Sequence, residues 1–84
     1  MPLRYRADVL SALTAHGVQP KDTTPPALVH EFVSDLYRYE IRRLRDRLLA
    51  HEFPKKEYAG RVNALRARYR VISMRATEWL AGQG

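Results

Sequence analysis

Apolar residues in the last third of this chain stand at Tyr58, Val62, Leu65, Tyr69, Ile72, Ala76 and Trp79. The steps alternate between four and three, which sets them all on one face of a helix. A second stripe runs through Val29, Val33, Tyr37, Ile41, Leu44 and Leu48, with Leu36 beside Tyr37. Its N-terminal half carries a further apolar flank: Leu28, Phe32, Leu36 and Tyr39. A wide apolar arc calls for two packing partners and a narrow one for a single partner. The first half of this helix is therefore expected to touch both the first and the third helix, and the second half only the third. The first helix shows its own apolar side in Leu3, Ala7, Val9, Leu10 and Leu13.

Turn chemistry sets the boundaries. The first helix is expected over about residues 3–16. Gly17 can take the left-handed conformation just past its end, and Val18 can fold back onto Leu13 in a Schellman motif. Residues 17–24 read as a polar linker containing Pro20. Thr24 reads as an N-cap with Pro25 at the first helical position. The second helix then runs over about 25–51, because Pro54 pushes Phe53 out of the helical region. The third is expected over about 54–72. So short a connection forces an antiparallel αα-hairpin. Its register sets Leu48 against Tyr58, Leu44 against Val62, Ile41 against Leu65 and Tyr37 against Tyr69, with Trp79 near Leu28 and the first helix. No Pro or Gly interrupts residues 61–81, so one helix can continue. Val71-Ile72-Ser73 is a poor helical triplet, however, and favours a kink into a short helix over about 74–81. The fold class expected is all-α: a single domain, 1–84, forming a small three- to four-helix bundle on a long antiparallel hairpin.

Composition narrows the function classes. Eighty-four residues make one domain. Hydrophobic residues are 45% of the chain, enough to argue against disorder. There is no cysteine, which excludes disulfides, thiolate zinc sites and a cysteine nucleophile. No apolar run is long enough to span a membrane. The stretch Met1 to Asp8 lacks the apolar segment of a secretory signal, so a cytoplasmic protein is expected.

Charge supplies the best functional lead. Residues 53–84 hold seven basic groups against two acids, which is +5 of the chain's formal +6. Twelve of the fifteen basic residues are Arg, which pairs bidentately with carboxylate and phosphate. Arg61, Arg68 and Arg75 follow one edge of the third stripe at seven-residue steps, and Lys55, Arg66 and Arg70 follow the other. Like charges on both edges disfavour parallel self-pairing of this helix and favour an acidic partner or a phosphate backbone. The docking surface expected is Arg61, Arg66, Arg68, Arg70 and Arg75. A protein partner or self-association ranks first. Nucleic acid ranks second, with Arg and Lys on phosphates and Tyr5, Tyr39 or Tyr58 stacking on bases if exposed. The tyrosines read first as half-buried core, and no helix-turn-helix, zinc-finger, RNA-recognition or KH signature is present. An anionic membrane surface ranks last, because the tyrosine-rich apolar face suits a partner helix better.

Catalysis is not expected. His16, His30 and His51 are scattered, and no two have the i, i+4 spacing of a metal pair. His16 and His51 lie at helix ends, where partial positive charge is favourable. Ser11, Ser34 and Ser73 lack a positioned base, and there is no Gly-rich phosphate loop. The expectation is therefore no enzyme, no cofactor, no metal and no small-molecule substrate. On the second helix Asp35–Arg38, Glu40–Arg43 and Arg42–Asp46 have the spacing of weak surface pairs, each about 0.3–0.5 kcal/mol. Glu40 falls inside the apolar stripe, and the register offers it Arg66 as a partner.

Residues Leu44 to Leu65, LRDRLLAHEFPKKEYAGRVNAL, resemble the short helical hairpin of SHOCT domains. Leu48, Phe53, Glu57, Tyr58, Arg61 and Leu65 fall in matching places. Pro54 stands where that hairpin ordinarily has a Thr cap, and the turn lacks its usual Gly. The resemblance covers about a quarter of the chain. It implies an interaction or oligomerisation module and supplies no catalytic residues.

Overall fold

The computed structural model describes residues 3–81; residues 1, 2 and 82–84, the two ends of the expected 1–84 domain, lie outside the described part. The chain is all-α. Among the described residues it holds three α-helices: α1 (Ala7–Ala15), α2 (Pro26–Leu49) and α3 (Tyr58–Arg68). Three short 3-10 segments, Lys55–Glu57, Arg70–Ser73 and Ala76–Trp79, complete the order.

α1 starts at Ala7 and not near residue 3, because the residues before it are committed elsewhere. Arg6 N–H donates to the Trp79 carbonyl at 2.8 Å, and Ala81 N–H donates to the Arg4 carbonyl at 2.7 Å. Tyr5 and Leu80 thereby form an isolated antiparallel bridge. Leu3 N–H is taken by the Asp22 carbonyl at 2.6 Å. The helix ends in a Schellman motif. Gly17 has φ +74°, its N–H donates to Thr14, and Val18 N–H donates to Leu13, both at 2.9 Å.

α2 begins at Pro26, with Pro25 in the N-cap position at ψ 133°. Thr24 cannot serve there: Pro25 itself precedes a proline, which holds it in the extended region. The Thr24 hydroxyl instead accepts the Lys21 N–H at 3.0 Å and closes the preceding turn. At the far end, His51 N–H donates to Leu48 and Glu52 N–H to Arg47, each at 3.0 Å. That is a second Schellman pattern, with His51 at φ 60° in the place usually given to glycine.

The expected helix over 54–72 is shorter at both ends. Pro54 is extended, one 3-10 turn follows, and α3 proper covers Tyr58–Arg68. The expected fourth helix over 74–81 is a single 3-10 turn, Ala76–Trp79. The cause is competition for carbonyls. His16 Nε2–H donates to the Arg68 carbonyl at 2.7 Å, and His30 Nε2–H points at those of Ile72 and Met74, both at 3.0 Å. The Trp79 indole N–H takes the Val71 carbonyl at 3.1 Å. Ring donors from α1, α2 and Trp79 thus satisfy oxygens that a continued helix would have used.

The segment 70–79 lies against both α1 and α2, and α3 also packs on α2. One core cluster joins Tyr5, Val9, Leu13, Val29, Val33, Leu65, Tyr69, Val71 and Trp79. Trp79 and Leu13 are completely buried, and full burial of such a side chain is worth about 1.5–3 kcal/mol. Tyr37 and Tyr69 sit with ring centroids 5.3 Å apart, and His16 stacks on Tyr69 at 4.1 Å. Leu44 and Phe53 are buried but lie outside this cluster. The molecule is elongated, 51 × 18 × 17 Å.

Candidate interaction surface

The five arginines expected to share one helix face do not do so. α3 stops at Arg68, so the seven-residue step from Arg61 and Arg68 to Arg75 is broken. Arg70 opens a 3-10 turn, and Arg75 is extended at φ −67°, ψ 148°. Arg66, Arg68, Arg70 and Arg75 are exposed. Arg61 is half-buried. Its guanidinium lies 4.2 Å from the centre of the Phe53 ring, and Nη2 pairs with Glu57 at 3.2 Å. Arg61 is therefore part of the packing around Phe53.

Arg61 and Arg68 share one side of α3, flanking Leu65. Together with Ala64 they face Glu40, Arg43, Leu44 and Arg47 of α2 and Glu52 of the turn. These residues line an open groove of about 650 Å³. Arg47 lies 5.7 Å from the Phe53 ring centre and pairs with Glu52 at 3.3 Å. Arg43 and Arg68 have no carboxylate within ion-pair distance among the described residues. The contribution of α2 to this groove was legible in principle, since Glu40, Arg43 and Arg47 recur at helical spacing.

Glu40 does not meet Arg66. Arg66 follows Leu65 directly, so it projects about 100° round the helix from the buried face. The Glu40 carboxylate sits instead beside the Tyr69 hydroxyl, and its Oε2 is buried without a hydrogen-bond partner among the described residues. The Tyr69 hydroxyl is held well above its ordinary range, at about 12, first by burial and then by that carboxylate, with Arg68 acting the other way. Burial alone raises Tyr5, whose hydroxyl donates to the Thr24 carbonyl at 2.6 Å.

The tyrosines offered as base-stacking groups divide. Tyr5 is buried, Tyr58 is half-buried, and Tyr39 is 55% exposed on α2. Among the described residues the large exposed apolar side chains are Leu10, Leu28, Phe32, Tyr39 and Leu49; none lies in 53–81. Among the described residues no cluster of three or more metal-ligating side chains occurs, and no helix is long and apolar enough to cross a membrane. No protein-family model matches the chain, and neither a curated protein nor a solved structure gives a significant match.

Proposed function

We propose that this chain is a non-enzymatic helical interaction module, a small accessory or adaptor protein that docks an acidic protein partner. In this reading α2 and α3 form an antiparallel hairpin, and its basic side, with the segment beyond it, is the docking surface. The residues that carry it are Arg66, Arg68, Arg70 and Arg75; Arg61 supports them from its place over Phe53. The observation behind the reading is the absence of compensation. Of these five arginines only Arg61 has a carboxylate within ion-pair distance among the described residues. Uncompensated arginine is suited to bidentate capture of carboxylate or phosphate. The likeness of residues 44–65 to a SHOCT hairpin agrees with an interaction role.

Direct binding of DNA or RNA is the second reading, and one feature favours it. Among its described residues the basic segment exposes no large apolar side chain, whereas protein interfaces centre on buried apolar or aromatic anchors. A phosphate surface needs no such centre. Fluorescence anisotropy of short labelled DNA and RNA, titrated through salt, separates the two. With Arg66, Arg68 and Arg70 all changed to Glu as control, a steep salt slope abolished by the variant establishes nucleic acid. Absence of binding at low salt removes nucleic acid, and pull-down with the same variant as control then tests the acidic partner.

A further inference from the structure

Among the described residues, a line of exposed apolar side chains lies on α2, away from the basic segment. Leu28, Phe32 and Tyr39 are 60%, 54% and 55% exposed, and Leu36 between them is half-buried. Leu28, Phe32 and Tyr39 sit within about 40° of one another round the helix at 100° per residue, so they form one line, with Leu36 at its edge toward the core. The sequence offered this flank a second packing partner, the first helix. The structure gives that place to no element: it is the segment 70–79 that reaches both α1 and α2, on the opposite side from this line.

The charges beside the line are unevenly distributed. Toward the N-terminal end stand Glu31 and Asp35, and Asp35 is already held by Arg38 at 2.7 Å. Toward the C-terminal end stand Arg42 and Arg43. A parallel copy of the helix would set Glu31 near Glu31 and the arginines near the arginines. An antiparallel copy, related by a two-fold axis near Leu36, sets Phe32 against Tyr39 of the second copy. The same axis brings Glu31 within about one turn of the second copy's Arg42, which lies on the same edge of the line. An isologous interface is self-complementary in just this sense.

We propose that a second copy of this chain covers Leu28, Phe32 and Tyr39, α2 against α2 and antiparallel, in a two-fold dimer. This interface is independent of the basic docking surface and leaves Arg66, Arg68, Arg70 and Arg75 open to their own partner. A helix of this length offers a strip about 36 Å long and about 10 Å wide, well short of the ~800 Å² per partner of a standard interface. The dimer is consequently weak, and the +6 on each copy opposes it at low ionic strength.

Sedimentation velocity on the full chain at about 0.15 M salt, from about 10 μM to about 1 mM, tests this. The expected result is reversible dimerisation at the upper concentrations. Phe32→Asp and Tyr39→Asp each weaken it at least tenfold, while Leu10→Asp, an exposed leucine on α1, leaves it unchanged. Far-UV circular dichroism confirms that each variant is folded, as expected for exposed positions. Glu31→Arg and Arg42→Glu singly weaken the dimer, and the two together restore it. A chain that stays monomeric at about 1 mM overturns the proposal, as does a dimer indifferent to both aspartates. Singles that weaken without restoration by the pair overturn the antiparallel alignment.

Discussion

The two halves of α2 are alike in period and unlike in support. The N-terminal half buries Val29 and Val33 in the main cluster, and His30 lies against the fully buried Trp79, with ring centroids 5.2 Å apart. On that side it shares one cluster with Tyr5 of the N-terminal segment, Val9 and Leu13 of α1, and Val71 and Trp79 of the turns that follow α3. The C-terminal half buries Leu44 alone on the helix, and beyond it Phe53 is the one further anchor. The guanidiniums of Arg47 and Arg61 lie over the Phe53 ring, which stands apart from the main cluster. One end is held by a core with directed hydrogen bonds, and the other by a single ring under two cations. The same stripe of leucines and tyrosines serves both, so the helix period alone does not reveal which end is secure.

The sharpest test compares the two anchors. Trp79→Ala removes a fully buried ring and one of the two donors to the Val71 carbonyl, the other being Met74 N–H, and is expected to cost about 3–5 kcal/mol. For a chain of 84 residues that is a large share of the stability expected of a small domain, so cooperative thermal unfolding should be displaced far downward. Phe53→Ala is expected to cost no more than about 3 kcal/mol, because the surrounding arginines are free to return to water. Its signature is local: hydrogen exchange quickens in residues 45–57 while α1 stays protected. Equal global losses from the two substitutions would break the comparison.

How far the sequence showed this difference depends on the kind of signal. Apolar periodicity located all three helices, and Gly17 with Val18 and Leu13 marked the end of α1. Placing the α2 start at Thr24 overlooked that Pro25 is itself followed by proline. The end of α3 at Arg68 was invisible, because it is imposed from elsewhere in the chain. His16, His30 and Trp79 look like helix residues in sequence and act as donors to carbonyls up to 52 positions away. Two of these rings are histidines: helix-end charge accounts locally for His16, and nothing in the sequence around His30 points to carbonyls more than 40 positions away. The arginine surface was legible as charge but not as geometry. Arg61, Arg68 and Arg75 share a face only if the helix continues, and tertiary hydrogen bonds stop it.

Alkaline pH probes the secure end selectively. Tyr69 titrates near 12 in the folded chain against 10.0 in an unfolded one, and Tyr5 is shifted in the same direction. The neutral hydroxyls are favoured by folding, so their contribution is complete below pH 10 and is lost as pH rises toward about 12. Stability measured by denaturant titration should therefore fall across that window. Tyr69→Phe should flatten the fall.

A smaller gain is available at the weak end. His51 holds φ 60°, and a left-handed backbone costs an ordinary residue roughly 1–2 kcal/mol. Glycine removes that cost and returns part of it as unfolded-state entropy. His51→Gly is expected to raise stability by about 0.5–1 kcal/mol, read as a higher denaturant midpoint with unchanged slope. A loss would mean that the histidine ring contributes packing that outweighs its backbone.

The smallest effect decides what holds Phe53 down. Arg61 engages two groups at once, the Glu57 carboxylate and the aromatic face. The carboxylate pair is half-exposed and spaced i, i+4, worth about 0.3–0.5 kcal/mol and screened by salt. The stacked guanidinium is partly desolvated, and a cation over a ring in that setting is worth roughly 1–2 kcal/mol with little salt dependence. Glu57→Gln should therefore change the denaturant midpoint barely at all. Arg61→Gln, which keeps a polar head but removes the planar cation, should cost more. The two variants are compared at low and high salt. If the arginine's advantage persists at high salt, the stack closes the weak end; if it vanishes, the ion pairs do.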